Sequence, residues 1–309
     1  MPQSFRSRLP LSRYELDRDY LAREREFLFD ELWADSTTRV LPVFQGSALL
    51  AGPAELALLP VQAVPTAQLR VYLGRTTAAT ASEPLGTPIV AIELDDADHF
   101  AQADWANLRE VGSELSDRDA GLLTEALGIL NWHASHRFSP RSGQPTIVEK
   151  GGWVRRDASL NMEIFPRTDP AIIVGVVDAQ DRILLGSNAL WASNRYSLLA
   201  GFVEPGESLE AAVVREVFEE AAVRVTDPIY LGSQPWPFPA SLMTGFTATV
   251  DPNWGLDATP DGTEILDLRW FSRDELAAAL DEIRLPGPTS IARAIVEEWF
   301  GGPINDGQR

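Results

Sequence analysis

The stretch Gly201-Phe-Val-Glu-Pro-Gly-Glu207-Ser-Leu-Glu-Ala-Ala-Val-Val-Arg215-Glu216-Val-Phe-Glu219-Glu220 constrains the chain more than any other. Its first half carries turn formers and its second half has no helix breaker, so a loop followed by a helix over about 208–221 is expected. At ~100° per residue, Val214, Val217, Phe218 and Ala221 fall on one side of that helix, at positions i, i+3, i+4 and i+7. Glu216, Glu219 and Glu220 then gather on the other side. Like charges at this spacing cost a few tenths of a kcal/mol in an isolated helix, and a bound hard cation reverses the sign. Carboxylate oxygens suit Mg²⁺ and Mn²⁺, which share their coordination between protein, water and phosphate. Taken alone, the same pattern also fits an ordinary surface helix with an acidic face and an Arg215–Glu219 pair.

The charge balance narrows the partners. With 26 basic and 45 acidic residues the 309-residue chain carries a formal charge of −19, a field that repels a phosphate backbone. An extended nucleic-acid surface is therefore not expected, and an anionic substrate needs a metal ion and a few local donors. There is no cysteine, which excludes disulfides and thiolate metal sites. No apolar signal core or membrane-length stretch is visible, so a soluble, cytoplasmic protein is the expectation.

Along the chain, Arg39–Phe44, Glu55–Leu59, Leu69–Leu73 and Pro88–Leu94 read as strands of a β-rich first domain. Ser116-Asp-Arg-Asp119 resembles a capping box for a helix carrying Leu123, Ala126, Leu127, Leu130 and Ala134. Residues 137–166 show little periodicity and read as a small irregular insert. Beyond them come a hairpin at 171–177 and 182–185, the acidic helix, and strands near 223–232, 242–250 and 264–271. Two C-terminal helices follow, the first with Ser272 and Glu275 as a capping box and the second capped by Thr289 or Ser290. Three parts are expected: 1–136, 137–166 and 167–309.

The spacing Gly201, five residues, Glu207, seven residues, Arg215-Glu216-Val-Phe-Glu219-Glu220 resembles the Nudix box. The resemblance implies an α/β fold, a Nudix α/β/α sandwich with a mixed sheet, here preceded by a smaller β-rich domain. It implies that Glu216, Glu219 and Glu220 are metal-binding and catalytic carboxylates, that Glu207 is the loop acid, and that Arg215 orients a glutamate. Ala222 stands where the family usually has glycine at the helix exit, and a left-handed alanine there costs on the order of 1 kcal/mol.

Ser233-Gln234-Pro235-Trp236-Pro237-Phe238-Pro239-Ala240-Ser241 alternates prolines with aromatics and is expected to form a stiff extended ledge suited to stacking a base. It resembles the signature of the NADH pyrophosphatase subgroup, and the resemblance spans roughly residues 105–300. It implies that Gln234, Pro235, Trp236, Pro237, Phe238, Pro239, Ala240 and Ser241 line the substrate pocket and that Glu264 is a further metal ligand. It also implies that Phe165 and Phe202 sandwich a base across a homodimer interface, that backbone near Ala200 and Ala292 touches substrate, and that Arg109 contacts phosphate or ribose. By residue type alone, Glu264 reads as a solvent-facing strand-edge acid and the two phenylalanines as core.

The subgroup carries a four-cysteine zinc ribbon between its domains. Here Ser139 and Ser142 fall at one cysteine pair and Asp157 and Leu160 at the other. Hydroxyls are poor zinc ligands and leucine is none, so no structural zinc is expected, and the insert needs hydrophobic packing or dimer contacts instead. His133, His136 and Asp157 are the remaining candidates for a different site.

The expected activity is hydrolysis of the pyrophosphate bond of NADH or NAD to nicotinamide mononucleotide and AMP with two to three Mg²⁺ or Mn²⁺ ions, extending to NAD caps at exposed RNA 5′ ends. Hydrolysis of other nucleoside diphosphate derivatives such as ADP-ribose, and a dinucleotide sensor that does not cleave, remain open alternatives. Which glutamate acts as base stays open as well.

Overall fold

The computed structural model describes residues 5–80, 83–192, 194–255 and 257–307. The chain forms two compact units, Arg13–Thr168 with Trp236–Ala240, and Met1–Ser12 with Asp169–Pro235 and Ser241–Arg309.

In the first unit, strands β1 (Arg39–Phe44), β2 (Ser47–Gly52), β3 (Leu69–Thr76) and β4 (Pro88–Glu93) lie in the order β3-β4-β1-β2. β4 is antiparallel to β3 and parallel to β1, so the sheet is mixed. The four central residues of β1 are all buried, and the same near-continuous burial runs along β4, as strands covered on both faces require. The expected strand over 55–59 is split into Glu55–Leu56, which pairs with β2, and Leu59–Pro60, which pairs with β1.

Helix α1 (Asp117–Ser135) is capped by the Ser116 hydroxyl, which accepts from the Asp119 N–H. Only that half of the expected box forms, because the Asp119 carboxylate accepts from the Leu56 N–H and from Arg118 instead. The insert is more regular than its sequence suggests. Strands β5 (Ile147–Glu149), β6 (Val154–Asp157) and β7 (Met162–Ile164) form an antiparallel sheet with β6 at its centre. Arg156 of β6 bridges Glu149 of β5 at 2.8 Å and Glu163 of β7 at 2.9 Å, a polar cross-strand ladder that hydrophobic patterning cannot reveal.

In the second unit, β8 (Asp169–Val177) and β9 (Ile183–Asn188) form the expected hairpin. They are joined by β10 (Leu199–Phe202), helix α2 (Leu209–Ala221), β11 (Val225–Trp236), β12 (Ser241–Val250) and β13 (Ile265–Phe271). The sheet order is β11-β12-β8-β9-β13, with β10 on β8. β8 runs parallel to β12 and antiparallel to β10, so this sheet is also mixed.

Alternation along β8 builds the layers. Ile172, Val174 and Val176 share a core with Ala212, Val213, Val217 and Ala221 of α2. Ile173 faces the other way, into a core with Leu276 of α3 (Arg273–Ala279) and Ile291 and Ile295 of α4 (Ile291–Phe300). Helices on both faces of one sheet make the α/β/α sandwich. The Ser272–Glu275 capping box is complete, and of the two candidate caps for α4 it is Ser290 that accepts, from the Ala292 N–H. Among the described residues no helix is long and apolar enough to cross a membrane.

Candidate active site

Helix α2 starts where Ser208 caps the Ala211 N–H, but its buried face is not the expected one. Ala212, Val213, Val217, Glu220 and Ala221 are buried, whereas Val214 and Phe218 are exposed. Val213 and Val214 are equally apolar, so periodicity alone cannot choose between adjacent arcs, and counting an acid as outward-facing biased the choice. Glu220 therefore lies inside the buried arc, Glu216 is half-buried at its edge, and Glu219 points to solvent.

Arg215 holds this cluster in shape. Its guanidinium donates to both carboxylate oxygens of Glu207 at 2.8 and 2.9 Å, to the Phe202 carbonyl at 2.9 Å and to Glu219 at 2.9 Å. It also pairs with Glu216 at 2.9 Å. Glu207 in turn accepts from the Glu204 N–H, which fixes the loop ahead of the helix. The Arg215 bond holds the Glu207 carboxyl below its usual range, while Glu207 and the neighbouring acids push the Arg215 pKa up. Gly201 makes the close packing feasible, since a Cβ there would lie 2.0 Å from Cδ of Glu216. The glycine leaves room for a carboxylate against the backbone of β10.

Glu264 stands at the entrance to β13, exposed, with Asn188 donating to it at 3.3 Å. Burial, then the charges of Glu264 and Glu216, push the Glu220 carboxyl up to about 8, against a hydrogen bond with the Ala200 backbone. Burial raises Glu216 too, with Arg215 opposing and Glu219 and Glu264 adding to the rise. One oxygen of Glu220, Oε2, is buried without any hydrogen-bond partner. Glu220, crowded and desolvated in this way with no cation among the causes of its shift, lacks positive charge.

No group of three or more His, Asp or Glu side chains is gathered around a common point as a finished metal cage among the described residues. Arg215 occupies Glu219 and Glu216, and the acids repel one another. The donor chemistry nevertheless fits Mg²⁺ or Mn²⁺, because the charged neighbours that raise Glu220, namely Glu264, Glu216 and Asp261, all carry hard oxygen donors.

Sequence reasoning missed Asp261 and Asn188. Asp261 accepts from the N–H groups of Thr263, Glu264 and Ile265, each at 2.9 Å, and so sets the turn that presents Glu264. The signal was the Asp-Gly-Thr-Glu order, since Asp commonly closes such a turn with its side chain. The exit of α2 is the expected left-handed alanine, Ala222 at φ 54° and ψ 24°. Its carbonyl accepts from the Trp254 indole N–H at 3.1 Å, and the Ala221 carbonyl accepts from Thr259 at 2.9 Å, which offsets the strain.

The remaining candidates divide between the units. In the second unit Ala200 and Phe202 lie on β10, with Phe202 60% exposed and open to a stacking partner. Gln234 is fully buried, and its carboxamide is engaged by the Leu11 N–H at 3.3 Å and the Thr289 carbonyl at 3.0 Å. That side chain ties the N-terminal segment to its unit, a role no local pattern signals. Pro235 is exposed, while Ser241 and Ala292 are buried at the starts of β12 and α4.

In the first unit Trp236–Ala240 is a turn, not an extended ledge: Phe238 N–H donates to the Trp236 carbonyl at 2.7 Å and the Phe238–Pro239 peptide is cis. Asn131 of α1 fixes this turn through the carbonyls of Pro237 at 2.8 Å and Pro239 at 3.2 Å. Trp236 and Phe238 meet edge to face, and the Arg109 guanidinium sits 3.9 Å from the Phe238 ring centre and 5.0 Å from that of Trp236. Pro237 is buried and Pro239 exposed, with Ala240 between. Phe165, just after β7, is 62% exposed.

A NUDIX domain model matches residues 166–291, and an NADH pyrophosphatase-like rudimentary NUDIX domain model matches residues 37–132. The NAD-capped RNA hydrolase NudC of Mycobacterium tuberculosis is 41% identical over 285 residues, 87% of this chain and 85% of the relative. The protein of the same name from Stutzerimonas stutzeri is 38% identical over 70% of this chain and 74% of its own. A solved NUDIX hydrolase from Nitrosomonas europaea, 24% identical, superposes with a TM-score of 0.42 over 54% of this chain and 94% of its own. The loop–helix with its Arg215-centred acids, the two domain models and the 41% identity to the Mycobacterium tuberculosis relative together place the chain in the Nudix hydrolase family, in its NADH pyrophosphatase subgroup.

Proposed function

We propose that the protein hydrolyses the pyrophosphate bond of NADH or NAD to nicotinamide mononucleotide and AMP, and removes NAD caps from exposed RNA 5′ ends. The observation that carries the reading is Glu220, buried with an orphan oxygen and pushed up by the charges of Glu264 and Glu216, on a loop–helix of the Nudix type. Two or three divalent cations, Mg²⁺ or Mn²⁺, held by these acids and Glu219, would supply the charge neutralisation that parting two adjacent phosphates demands.

The chain's own residues do the rest. Arg215 and Glu207 fix the direction of Glu216 and Glu219, and Gly201 gives Glu216 its position. Glu219, the solvent-facing acid, or a neighbouring glutamate would accept a proton as the water oxygen attacks phosphorus and the bridging P–O bond breaks. Phe202 offers an exposed ring on β10 for stacking a base, and the resemblance assigns the matching ring, Phe165, to the other subunit of a homodimer and contacts with the nucleoside ends to Arg109 and the Trp236–Phe238 turn. With a charge of −19 the protein is not built to grip an RNA body, so cap removal needs only the cap and a frayed 5′ end.

Incubation with NADH and Mg²⁺ or Mn²⁺, with products identified by mass, is expected to yield nicotinamide mononucleotide and AMP, and Glu219→Gln is expected to lose turnover. Unchanged turnover in that variant removes the catalytic assignment. A competition between NADH, NAD and ADP-ribose that favours ADP-ribose replaces the substrate.

A further inference from the structure

The zinc ribbon that the resemblance implies would fall on four positions of the first unit. The four positions are Ser139, Ser142, Asp157 and Leu160, and two hydroxyls, a carboxylate and a hydrocarbon are not a zinc set. Yet these positions converge. Asp157 is fully buried, and its Oδ2 accepts from the Ser142 hydroxyl at 2.5 Å. Its Oδ1 accepts from the Ser159 hydroxyl at 2.6 Å and from the N–H groups of Ser159 at 3.0 Å and Leu160 at 3.2 Å. The buried Ser139 hydroxyl also bonds this carboxylate. Leucine at 160 thus contributes through its backbone what its side chain cannot.

The turn around the two serines is equally organised. The Ser139 oxygen accepts from the N–H groups of Arg141 and Ser142 at 3.3 Å, and that of Ser142 accepts from Gln144 at 3.2 Å. Gly143, at φ 72°, closes the turn, with its N–H on the Ser139 carbonyl. The Ser142 and Ser159 hydroxyls and the Ser159 and Leu160 N–H groups point at the carboxylate, so a cation placed there would meet hydroxyl and amide hydrogens instead of lone pairs. The hydroxyl bonds, that of Ser139 foremost, hold the Asp157 carboxyl far below the usual carboxylate range.

The two nearby histidines do not complete an alternative set. His133 bonds the Gly152 carbonyl at 2.8 Å through Nε2 and Arg155 at 2.8 Å through Nδ1, which uses both ring nitrogens. Nδ1 of His136 lies against the Ser135 hydroxyl and the Trp132 carbonyl.

We propose that the Asp157-centred cluster of hydroxyl and amide donors takes the place of a metal ion, tying the Ser139–Gly143 turn to the β6–β7 hairpin so that the insert is ordered without zinc. A buried anion with a complete shell of donors does the same geometric work as a buried cation with a complete shell of thiolates, with the polarity reversed.

The test uses the full chain. After dialysis against zinc and then a chelator, elemental analysis is expected to find no stoichiometric zinc and the melting temperature is expected to stay unchanged. One retained zinc per chain, whose removal lowers the melting temperature, overturns the proposal. Asp157→Asn replaces an acceptor oxygen with a donor amide, and is expected to lower the melting temperature by several degrees and to speed proteolysis within 139–160, with no rescue by zinc. A variant that melts like the parent sinks the idea. Should Asp157→Asn not fold, the quadruple variant Ser139→Cys, Ser142→Cys, Asp157→Cys, Leu160→Cys decides. Convergence predicts that it binds cobalt(II) with thiolate charge-transfer absorption, and a folded quadruple that binds none shows that the four positions do not meet. None of these readouts depends on NADH turnover, so they stand or fall apart from the catalytic reading.

Discussion

Two carboxylate clusters in this molecule are opposites. Around Asp157 one buried acid is surrounded by hydroxyl and amide donors and needs nothing more. Around Glu220 several acids crowd one another, burial raises the affinity of Glu220 and Glu216 for protons, and one oxygen of Glu220 has no partner at all. Both lie where the sequence resemblance implies metal ions. The difference teaches that the count of donors against acceptors, not the presence of acids, tells whether a site is finished. A satisfied anion is structure, and an unsatisfied set is a place for positive charge.

The contrast can be broken most sharply at Glu220. Above about pH 8, where the Glu220 carboxyl is ionised, Glu220→Gln removes a buried, repelled charge, so the metal-free protein is expected to melt higher there, while kcat on NADH falls by about 10²–10⁴, the usual scale for a lost catalytic group. A variant that is less stable and equally active would erase the distinction.

The next effect belongs to His133, on the satisfied side. Burial depresses its pKa to about 4, below the ordinary value of 6.5. The unfolded chain then binds the extra proton, so the stabilisation is complete above about pH 6.5 and is lost as pH falls toward about 4. The loss is on the order of 3 kcal/mol for this one group. Urea unfolding at about pH 7.5 and about 4.5 is expected to show a smaller difference for His133→Gln than for the parent. Equal differences would mean that the imidazole is not held neutral.

A smaller effect separates the clusters by cation. Mg²⁺ at a hundred times its dissociation constant is expected to stabilise the parent by about 2.7 kcal/mol, and to do so less in Glu220→Gln. Zinc at the Asp157 cluster is expected to do nothing. Differential scanning of both proteins with each ion reads this directly. The smallest expected change is Ala222→Gly, a gain of about 1 kcal/mol from relieving a left-handed alanine. No gain in the melting temperature would mean that the Trp254 and Thr259 bonds already absorb the strain.

Much of the fold was legible because its signals are local. Ser208, Ser272 with Glu275, and Ser290 announce three helix starts, and the apolar runs at 39–44, 88–93 and 171–177 become strands. The acids of α2 were legible by spacing, but their burial was not, because a buried glutamate contradicts the rule that apolar residues choose the inner face. The insert was hidden for a related reason: its strands are three or four residues long and held by Arg156 and Asp157, so no apolar period marks them. The turn at Trp236–Ala240 was misjudged as a ledge because its shape depends on Asn131, more than a hundred positions away in sequence. Gln234 read as a recognition group and is a buried tie, since only the fold shows where Leu11 and Thr289 are.

Gly201 carries a last consequence, for anyone who would diversify this enzyme. A methyl group at that position would fall 2.0 Å from the Glu216 carboxyl carbon, with the backbone of β10 behind it, so even the smallest side chain displaces that carboxylate. In a saturation library, position 201 should return a single viable letter. Variation aimed at substrate choice is better placed at the exposed rings of Phe202 and Phe165, where a change of size meets open space.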